Sequence, residues 1–247
     1  MDALRYQQDL ISHLSGFVTA NRAALFQQNI EQRTRYLTVV LEDIYQSQNA
    51  SAVLRTCDCV GIQDVHIVEE SNDYDVNPDV SLGSNQWLNM FFYREGKADP
   101  ALRHNRRPGQ EGGTNIVKAV NKLKKAGYRI VATSPHKDGA SPENFSLGDG
   151  PAALLFGTEL NGLTDQALEL ADEYIQIPMV GFTESYNISV SAALVLYTLR
   201  RRLESSTINW QIAEEERNII VLDWLRSTIR MSRKLEVKFR QKYVNGF

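Results

Sequence analysis

Three groups of polar residues follow apolar runs in this sequence, and their residue types suit ligand binding. The groups occupy residues 49–55, 157–159 and 183–187. Between them they contain an arginine, two glutamates and several amides and hydroxyls, which supply positive charge and hydrogen-bond donors and acceptors. Each group is expected at the carboxyl end of a strand, where open α/β sheets bind their ligands.

The first group also has a purely structural interpretation. Asn49 is a plausible N-cap for a helix beginning near it, and Ser51 and Arg55 would share one helix face. Asn49 and Arg55 are six residues apart, so they converge only if Asn49 acts from the loop. Arg55 could instead form a weak surface pair with Asp58.

The other two groups have similar alternatives. Glu159 could compensate the dipole of a helix that begins after it. Ser185 or Asn187 could be the N-cap of the apolar helix that follows, accepting a hydrogen bond from a free backbone N–H group. A buried helix that begins in a polar loop is equally a place where a ligand can bind.

The elements that must position these groups follow from the hydrophobic pattern. Short apolar runs without clean alternation predict strands buried on both faces, hence an α/β fold with a mostly parallel sheet covered by helices. The predicted strands are 36–41, 64–70, 128–134, 152–157 and 173–179, and the predicted helices between them are 49–61, 115–127 and 164–171.

We expect one main domain, 36–203, with an inserted loop at about 94–113 that is rich in glycine, proline and charge. Residues 1–35 and 204–247 are predicted to be helical extensions. The C-terminal one is basic: between residues 226 and 242 seven cations stand against one acid, whereas the whole chain carries −3. Four of these cations recur every fourth residue beside an apolar stripe, which favours contact with a polyanion over a merely solvated face.

Composition excludes several classes of protein. Hydrophobic residues make up 43% and charged residues 23%, as in ordinary globular proteins. No apolar run approaches the ~20 residues of a membrane span and the first residues do not form a signal peptide, so we expect a cytoplasmic protein with no membrane partner. The histidines and two cysteines lack metal-ligand spacing, and no metal site is predicted.

Familiar cofactor and catalytic fingerprints are also missing. No GxGxxG occurs, the glycine-rich turn at 156–162 lacks the lysine of a P-loop, and there is no GxSxG. A nucleotide-dependent oxidoreductase is therefore disfavoured.

Taken together and in order, the three groups resemble the motifs of the SpoU or TrmH-type branch of the SPOUT RNA methyltransferases. The resembling segments are 49–55, 156–163 and 177–193, within about 37–199. The lead-in at 37–44 and the helical ends look most like the tRNA guanosine-18 2′-O-methyltransferases. Two features depart from the pattern: Tyr186 stands where the family often has leucine, and 94–113 looks like an insertion.

The resemblance implies a C-terminal deep trefoil knot that binds S-adenosyl-L-methionine, and a homodimer with the active site near the subunit interface. The implied cofactor pocket contains Thr133, Gly157, Ile177, Met179, Tyr186 and Ile188. The implied catalytic set is Arg55, Asn49, Glu159, Ser185 and Asn187. Since a guanidinium normally stays protonated, we expect Arg55 to orient the ribose hydroxyl or a phosphate and to stabilise negative charge.

RNA affinity is expected from cations outside the knot. The predicted RNA contacts are Arg22, Arg33, Arg35, Arg103, Arg106, Arg107, Arg230, Arg233, Lys234, Lys238 and Lys242. The expected activity is 2′-O-methylation of a ribose in RNA, with guanosine-18 of tRNA as the leading target. Methylation of ribosomal RNA and a catalytically inactive RNA-binding role stay open as alternatives.

Overall fold

The computed structural model describes residues 3–70, 81, 83–94, 114–159 and 161–244. These residues fall into two compact units. One consists of Arg35–Trp210 and contains the sheet. The other combines the described residues of 1–34 with those of 211–247 and is helical. We call them the sheet unit and the helical unit.

The sheet unit has six parallel strands. They are β1 (Leu37–Glu42), β2 (Asp64–Val68), β3 (Asn89–Tyr93), β4 (Arg129–Thr133), β5 (Ala152–Phe156) and β6 (Glu173–Ile175), in the spatial order β3-β2-β1-β5-β4-β6. The predicted parallel sheet is confirmed. The prediction omitted β3, which lies at one edge and is only partly buried, although its residues 90–93 are apolar or aromatic.

Helices cover both faces of this sheet. They are α3 (Ser47–Cys59), α4 (Thr114–Lys125), α5 (Asp165–Leu170) and α6 (Ile188–Glu204), with a short 3₁₀ turn at Ser84–Gln86. Two cores result. One joins the inward side chains of α3 and α6 to one face of the sheet, and the other joins α4 and α5 to the opposite face.

Strands β1 and β5 are neighbours at the point where the strand order changes direction. Leu41 pairs with Phe156 near the carboxyl ends of both strands. The chain leaves β1 toward α3 and leaves β5 toward α5, which pack on opposite faces of the sheet. This is the crevice in which open α/β sheets bind ligands, and two of the three polar groups begin here.

The helical unit contains α1 (Ala3–Ser15), α2 (Ala20–Ile30), α7 (Glu214–Thr228) and α8 (Ser232–Val244). Its interior includes Leu14, Phe26 and Trp224, with Phe26 and Trp224 rings 5.7 Å apart. Amphipathic helices of this length are stabilised chiefly by such packing rather than by intrinsic propensity.

Candidate active site

A cavity of about 300 Å³ opens at the carboxyl ends of β4, β5 and β6. Its walls come from residues within four segments, 133–137, 156–163, 175–179 and 184–191, and from Leu168 of α5. The six residues that the resemblance assigns to cofactor binding, Thr133, Gly157, Ile177, Met179, Tyr186 and Ile188, all line it. A pocket with apolar walls and a few convergent polar groups is the usual form of a small-molecule site.

Three of the predicted catalytic residues are hydrogen-bonded to one another beside this cavity. The amide nitrogen of Asn187 donates to Oδ1 of Asn49 at 3.3 Å and also to a carboxylate oxygen of Glu159. The three come from sequence positions far apart and from all three polar groups. We call Asn49, Asn187 and Glu159 the polar triad.

Asn187 is also the N-cap of α6. Its side-chain oxygen accepts hydrogen bonds from the backbone N–H of Ser189 at 2.8 Å and from the Ser189 hydroxyl at 2.5 Å. The prediction that Ser185 or Asn187 caps this helix is thus confirmed for Asn187. Ser185 is exposed and lines the cavity.

The expected N-cap role of Asn49 is wrong. The N-cap of α3 is Gln46, and Asn49 lies inside the first turn, 8% exposed. Asn49 Nδ2 donates to Gln46 Oε1 at 2.9 Å, which leaves its oxygen directed to Asn187. Asn49 reaches Asn187 from within the helix, because the start of α3 lies beside the start of α6. Asn49 does not act from a loop, the condition under which it was expected to converge with Arg55.

Arg55 lies in the second half of α3 and is exposed. Among the residues that the structure describes it forms no side-chain hydrogen bond or ion pair, so the predicted alternative, a pair with Asp58, is absent. The structure therefore does not join Arg55 to the polar triad. Its guanidinium is left accessible to solvent and to a substrate.

The loop after β5 folds back on itself. Thr158 and Gly162 exchange two backbone hydrogen bonds of 2.9 Å. A Cβ added at Gly157 would lie 2.1 Å from the carbonyl carbon and oxygen of Gly162, so no larger residue fits there without moving backbone. Glycine at 157 is thus required by the close approach of two chain segments, and the resulting turn presents Glu159.

The predicted RNA contacts differ in how much of each side chain is available. Arg22 is exposed on α2, and Arg230, Arg233, Lys234, Lys238 and Lys242 are exposed on or near α8. Arg35 pairs with Asp64 at 3.1 Å. The structure argues against Arg33, because it is 5% exposed with its guanidinium over the ring of Trp224. Arg103, Arg106 and Arg107, with most of the 94–113 loop, lie outside the described residues.

The part of the chain that the structure describes contains neither a candidate metal cluster nor a membrane-spanning helix. No group of three or more histidine, cysteine, aspartate or glutamate residues there could hold a metal ion. No helix there is long and apolar enough to cross a membrane.

Residues 36–197 match the SpoU rRNA Methylase family. The chain belongs to this family. The match spans all three polar groups and every strand of the sheet, and it ends within α6. The family resemblance expected from the motifs is confirmed.

Individual SpoU relatives match over most of their own length. A Borreliella burgdorferi protein named tRNA (guanosine(18)-2′-O)-methyltransferase is 41% identical over 220 residues, covering 89% of this chain and 91% of that protein. A Thermus thermophilus protein of the same name is 31% identical over 210 residues, covering 84% and 97%.

Solved structures show the same fold. The crystal structure of the A. aeolicus TrmH/SpoU tRNA modifying enzyme has a TM-score of 0.68 and 27% identity, covering 85% of this chain and 97% of that one. The Streptomyces viridochromogenes SpoU methyltransferase AviRb, solved in complex with AdoMet, has a TM-score of 0.53 and 22% identity, covering 72% and 62%. At 22% identity, the similarity to AviRb shows a shared fold and nothing more specific.

Sequence reasoning missed several residues of this SpoU site. Ser134, His136, Lys137, Glu184 and Ser191 line the cavity and were not among the predicted residues. Glu42 was missed as well: it ends β1 with 1% exposure, and its carboxylate binds Thr164 directly after the 157–163 loop. Ser134, His136 and Lys137 follow β4 directly, which was the available signal for them. Glu184 and Ser191 lie before and within α6, and Glu42 had no signal in its local sequence.

Proposed function

We propose that this protein is an S-adenosyl-L-methionine-dependent 2′-O-ribose methyltransferase that acts on guanosine-18 of tRNA. The observation that carries the proposal is the polar triad beside the cavity, which joins all three SpoU motifs in one hydrogen-bonded set. The two relatives named as guanosine-18 methyltransferases support the choice of tRNA over ribosomal RNA. Such a substrate implies action in the cytoplasm.

The cavity fits S-adenosylmethionine. Its apolar walls, which include Ile177, Met179 and Ile188, suit an adenine ring and a thioether chain, and the turn beginning at Gly157 brings backbone N–H and C=O groups close to the opening. When bound, this cofactor supplies an electrophilic methyl group on its sulfonium. The protein's part is to hold the cofactor and the ribose in line, which alone can contribute several kcal/mol to lowering the barrier.

Arg55 has the freedom that a substrate-contacting residue needs. A guanidinium keeps its proton and has no acceptor, so it cannot serve readily as a general base. We assign Arg55 the role of orienting the ribose hydroxyl or a neighbouring phosphate and stabilising the negative charge that develops on the attacking oxygen. Its exposure on α3, a helix whose first turn holds Asn49, supports this role.

Glu159 is assigned to orientation. Its carboxylate accepts from Asn187, whose amide is in turn bonded to Asn49, so the three side chains restrict one another's rotamers. Charge-assisted hydrogen bonds of this kind are stronger than neutral ones. Ser185, exposed at the cavity mouth, is a further hydroxyl for the bound ribose or cofactor.

We further propose that the protein works as a homodimer. Tyr186, Val190, Leu194 and Tyr197 are between 42% and 61% exposed, and their spacing places three of them on one face of α6 with Tyr186 just before it. Tyr186 also lines the cavity, so a second copy seated on this face would lie at the site. Leu194→Asp, judged by light scattering after gel filtration, should yield monomers; a wild-type monomer would exclude the proposal.

A deep trefoil knot in the C-terminal half of the sheet unit is part of the same proposal. The arrangement of β6 beside β4, and the convergence of the loops after β4, β5 and β6 on one cavity, support it. Tracing the chain from β5 to α6 in an experimental structure tests this path.

The decisive test of function is methyl transfer from labelled S-adenosylmethionine to tRNA transcripts with guanosine or adenosine at position 18. We expect one 2′-O-methylated ribose at position 18 of the guanosine transcript and none in the other. Label in a base, in ribosomal RNA only, or in no RNA would contradict the proposal.

A further inference from the structure

Glu42 forms a buried link between the centre of the sheet and the end of the 157–163 loop. Its two carboxylate oxygens accept from the Thr164 hydroxyl at 2.6 Å and from the Thr164 backbone N–H at 2.9 Å. Glu42 is 1% exposed at the end of the central strand β1. Thr164 is the N-cap of α5, accepting from Ala167 N–H at 3.2 Å.

Thr164 fixes one end of the loop and Gly157 fixes the other. Between them, the paired turn of Thr158 and Gly162 leaves Glu159 at its tip, where it meets Asn187. The Glu42 carboxylate therefore anchors the base of the turn whose tip belongs to the polar triad. No residue of the triad contacts Glu42 in any described hydrogen bond; its carboxylate reaches the turn through Thr164.

Burying a carboxyl group at this position costs free energy. Burial raises the pKa of Glu42 from 4.5 to about 7; the bonds from Thr164 lower it, and the nearby charges of Asp43 and Glu70 raise it further. A neutral side chain of the same size would avoid the cost of burying charge. Retaining costly groups where activity needs them is a common trade-off in enzymes.

We propose that Glu42 is a positioning residue for methyl transfer, holding the 157–163 loop through Thr164 so that Glu159 stays directed at Asn187. The inference rests on the proposed function only for its readout, which is the methylation rate. The ionised carboxylate accepts both bonds from Thr164, whereas the protonated form loses acceptor capacity.

A double-mutant cycle tests the coupling. At pH 8, with saturating tRNA and methyl donor, Glu42→Gln should lower the single-turnover rate about tenfold. In the Glu159→Gln background the same change should lower it less than twofold, because the two residues act through one loop. Equal effects in both backgrounds, or no loss in either, would refute the inference.

Glu69→Gln is the matched control. Glu69 is 2% exposed and follows the neighbouring strand β2, but it pairs with Arg94 instead of the loop. It should leave the rate within twofold of wild type. If Glu69→Gln lowers the rate as much as Glu42→Gln, then loss of any buried carboxylate at this edge of the sheet lowers the rate, and the inference fails.

The pH dependence separates positioning from a merely structural role. Because the folded-state pKa is raised from 4.5 to about 7, the stability that Glu42 contributes is fully present below about 4.5 and is lost as the pH rises through about 7. Glu42→Gln should therefore gain unfolding temperature relative to wild type at pH 8 and not at pH 5. Its rate deficit should grow over the same range. Rate and stability that fall together at pH 8 would indicate a structural role only.

Thr164 supplies an independent check if Glu42→Gln folds poorly. Thr164→Ser keeps the hydroxyl and should retain the rate within about threefold, whereas Thr164→Val should lose about tenfold. Identical rates for these two variants would overturn the inference. A wild-type protein that methylates no RNA would instead overturn the proposed function, and the two failures are thus distinct.

Discussion

The sheet unit and the helical unit use their polar side chains differently. In the sheet unit, polar groups at the strand ends bind one another: Asn187 caps α6 and bridges Asn49 and Glu159. In the helical unit, the cations of α8 stand mostly exposed on one segment of an otherwise acidic chain. Precise mutual contacts suit the alignment of reacting atoms, whereas exposed charge suits contact with a phosphate backbone whose exact position matters less.

Not every cation of the helical unit is unpaired. Arg226 is the first cation of the basic segment, yet it is bound to Asp223 at 2.8 Å and to Glu236 at 2.9 Å. Counting charges along the sequence therefore overstates what is available to RNA. A charged side chain is available to RNA only where it does not already have a partner.

The largest effect is expected at Arg55. Arg55→Lys keeps the positive charge but loses the planar pair of donors, so the single-turnover rate should fall about 100-fold. Affinity for tRNA, measured by filter binding, should change less than threefold. Full activity in the lysine variant would show that charge alone suffices and would remove the assigned role.

A smaller effect is expected at Glu159. Glu159→Gln should lower the single-turnover rate about tenfold at every pH from 6 to 9. The substitution weakens an orienting hydrogen bond but removes no proton-transfer step, so the loss should not depend on pH. Affinity for S-adenosylhomocysteine, measured by calorimetry, serves as the control for cavity integrity. A variant whose rate no longer depends on pH would identify Glu159 as the general base.

The exposed cations of α8 should affect binding more than chemistry. Replacing Lys234, Lys238 and Lys242 together by alanine should raise the dissociation constant for tRNA about tenfold. The slope of the logarithm of this constant against the logarithm of salt concentration should fall by roughly two. The rate at saturating tRNA should stay within twofold. Arg226→Ala is the control, since Arg226 is already paired, and an equal loss in that variant would contradict the distinction drawn above.

The smallest effect on RNA is expected from Arg33. Arg33→Ala should change tRNA affinity less than twofold, because the side chain is buried over Trp224. It should lower the free energy of unfolding by about 1 kcal/mol, the typical strength of a cation–π contact. A loss of tRNA affinity without a loss of stability in denaturant titrations would show that Arg33 contacts RNA, as the sequence predicted.

The central strands and the three motifs could be predicted because their signals are local. The run at residues 37–41 is apolar except for Thr38 because both of its faces are buried, and the polar residues that follow it stand out by contrast. The edge strand β3 was missed even though residues 90–93 are apolar or aromatic; the run is short and only partly buried. Its assignment depends on pairing with β2, which only the folded sheet supplies.

The residues that sequence reasoning misjudged depend on distant partners. Glu42 and Thr164 are 122 positions apart, so nothing near either of them marks the bond. Arg33 looked like one more surface cation until Trp224 was seen to cover it. Gln46 holds the capping position expected of Asn49, whose side-chain oxygen instead accepts from Asn187, 138 positions along the chain.

The side chain of Asn187 hydrogen-bonds to three residues, which restricts the substitutions that selection can accept there. The side chain must present one acceptor to Ser189 and two N–H donors, one to Asn49 and one to Glu159, at a single short reach. Aspartate offers acceptors but no donor, serine has one donor, and glutamine places both groups a methylene farther out. A saturation library at this codon, sorted for methylation, should return asparagine almost alone, even though neighbouring exposed positions accept many residues.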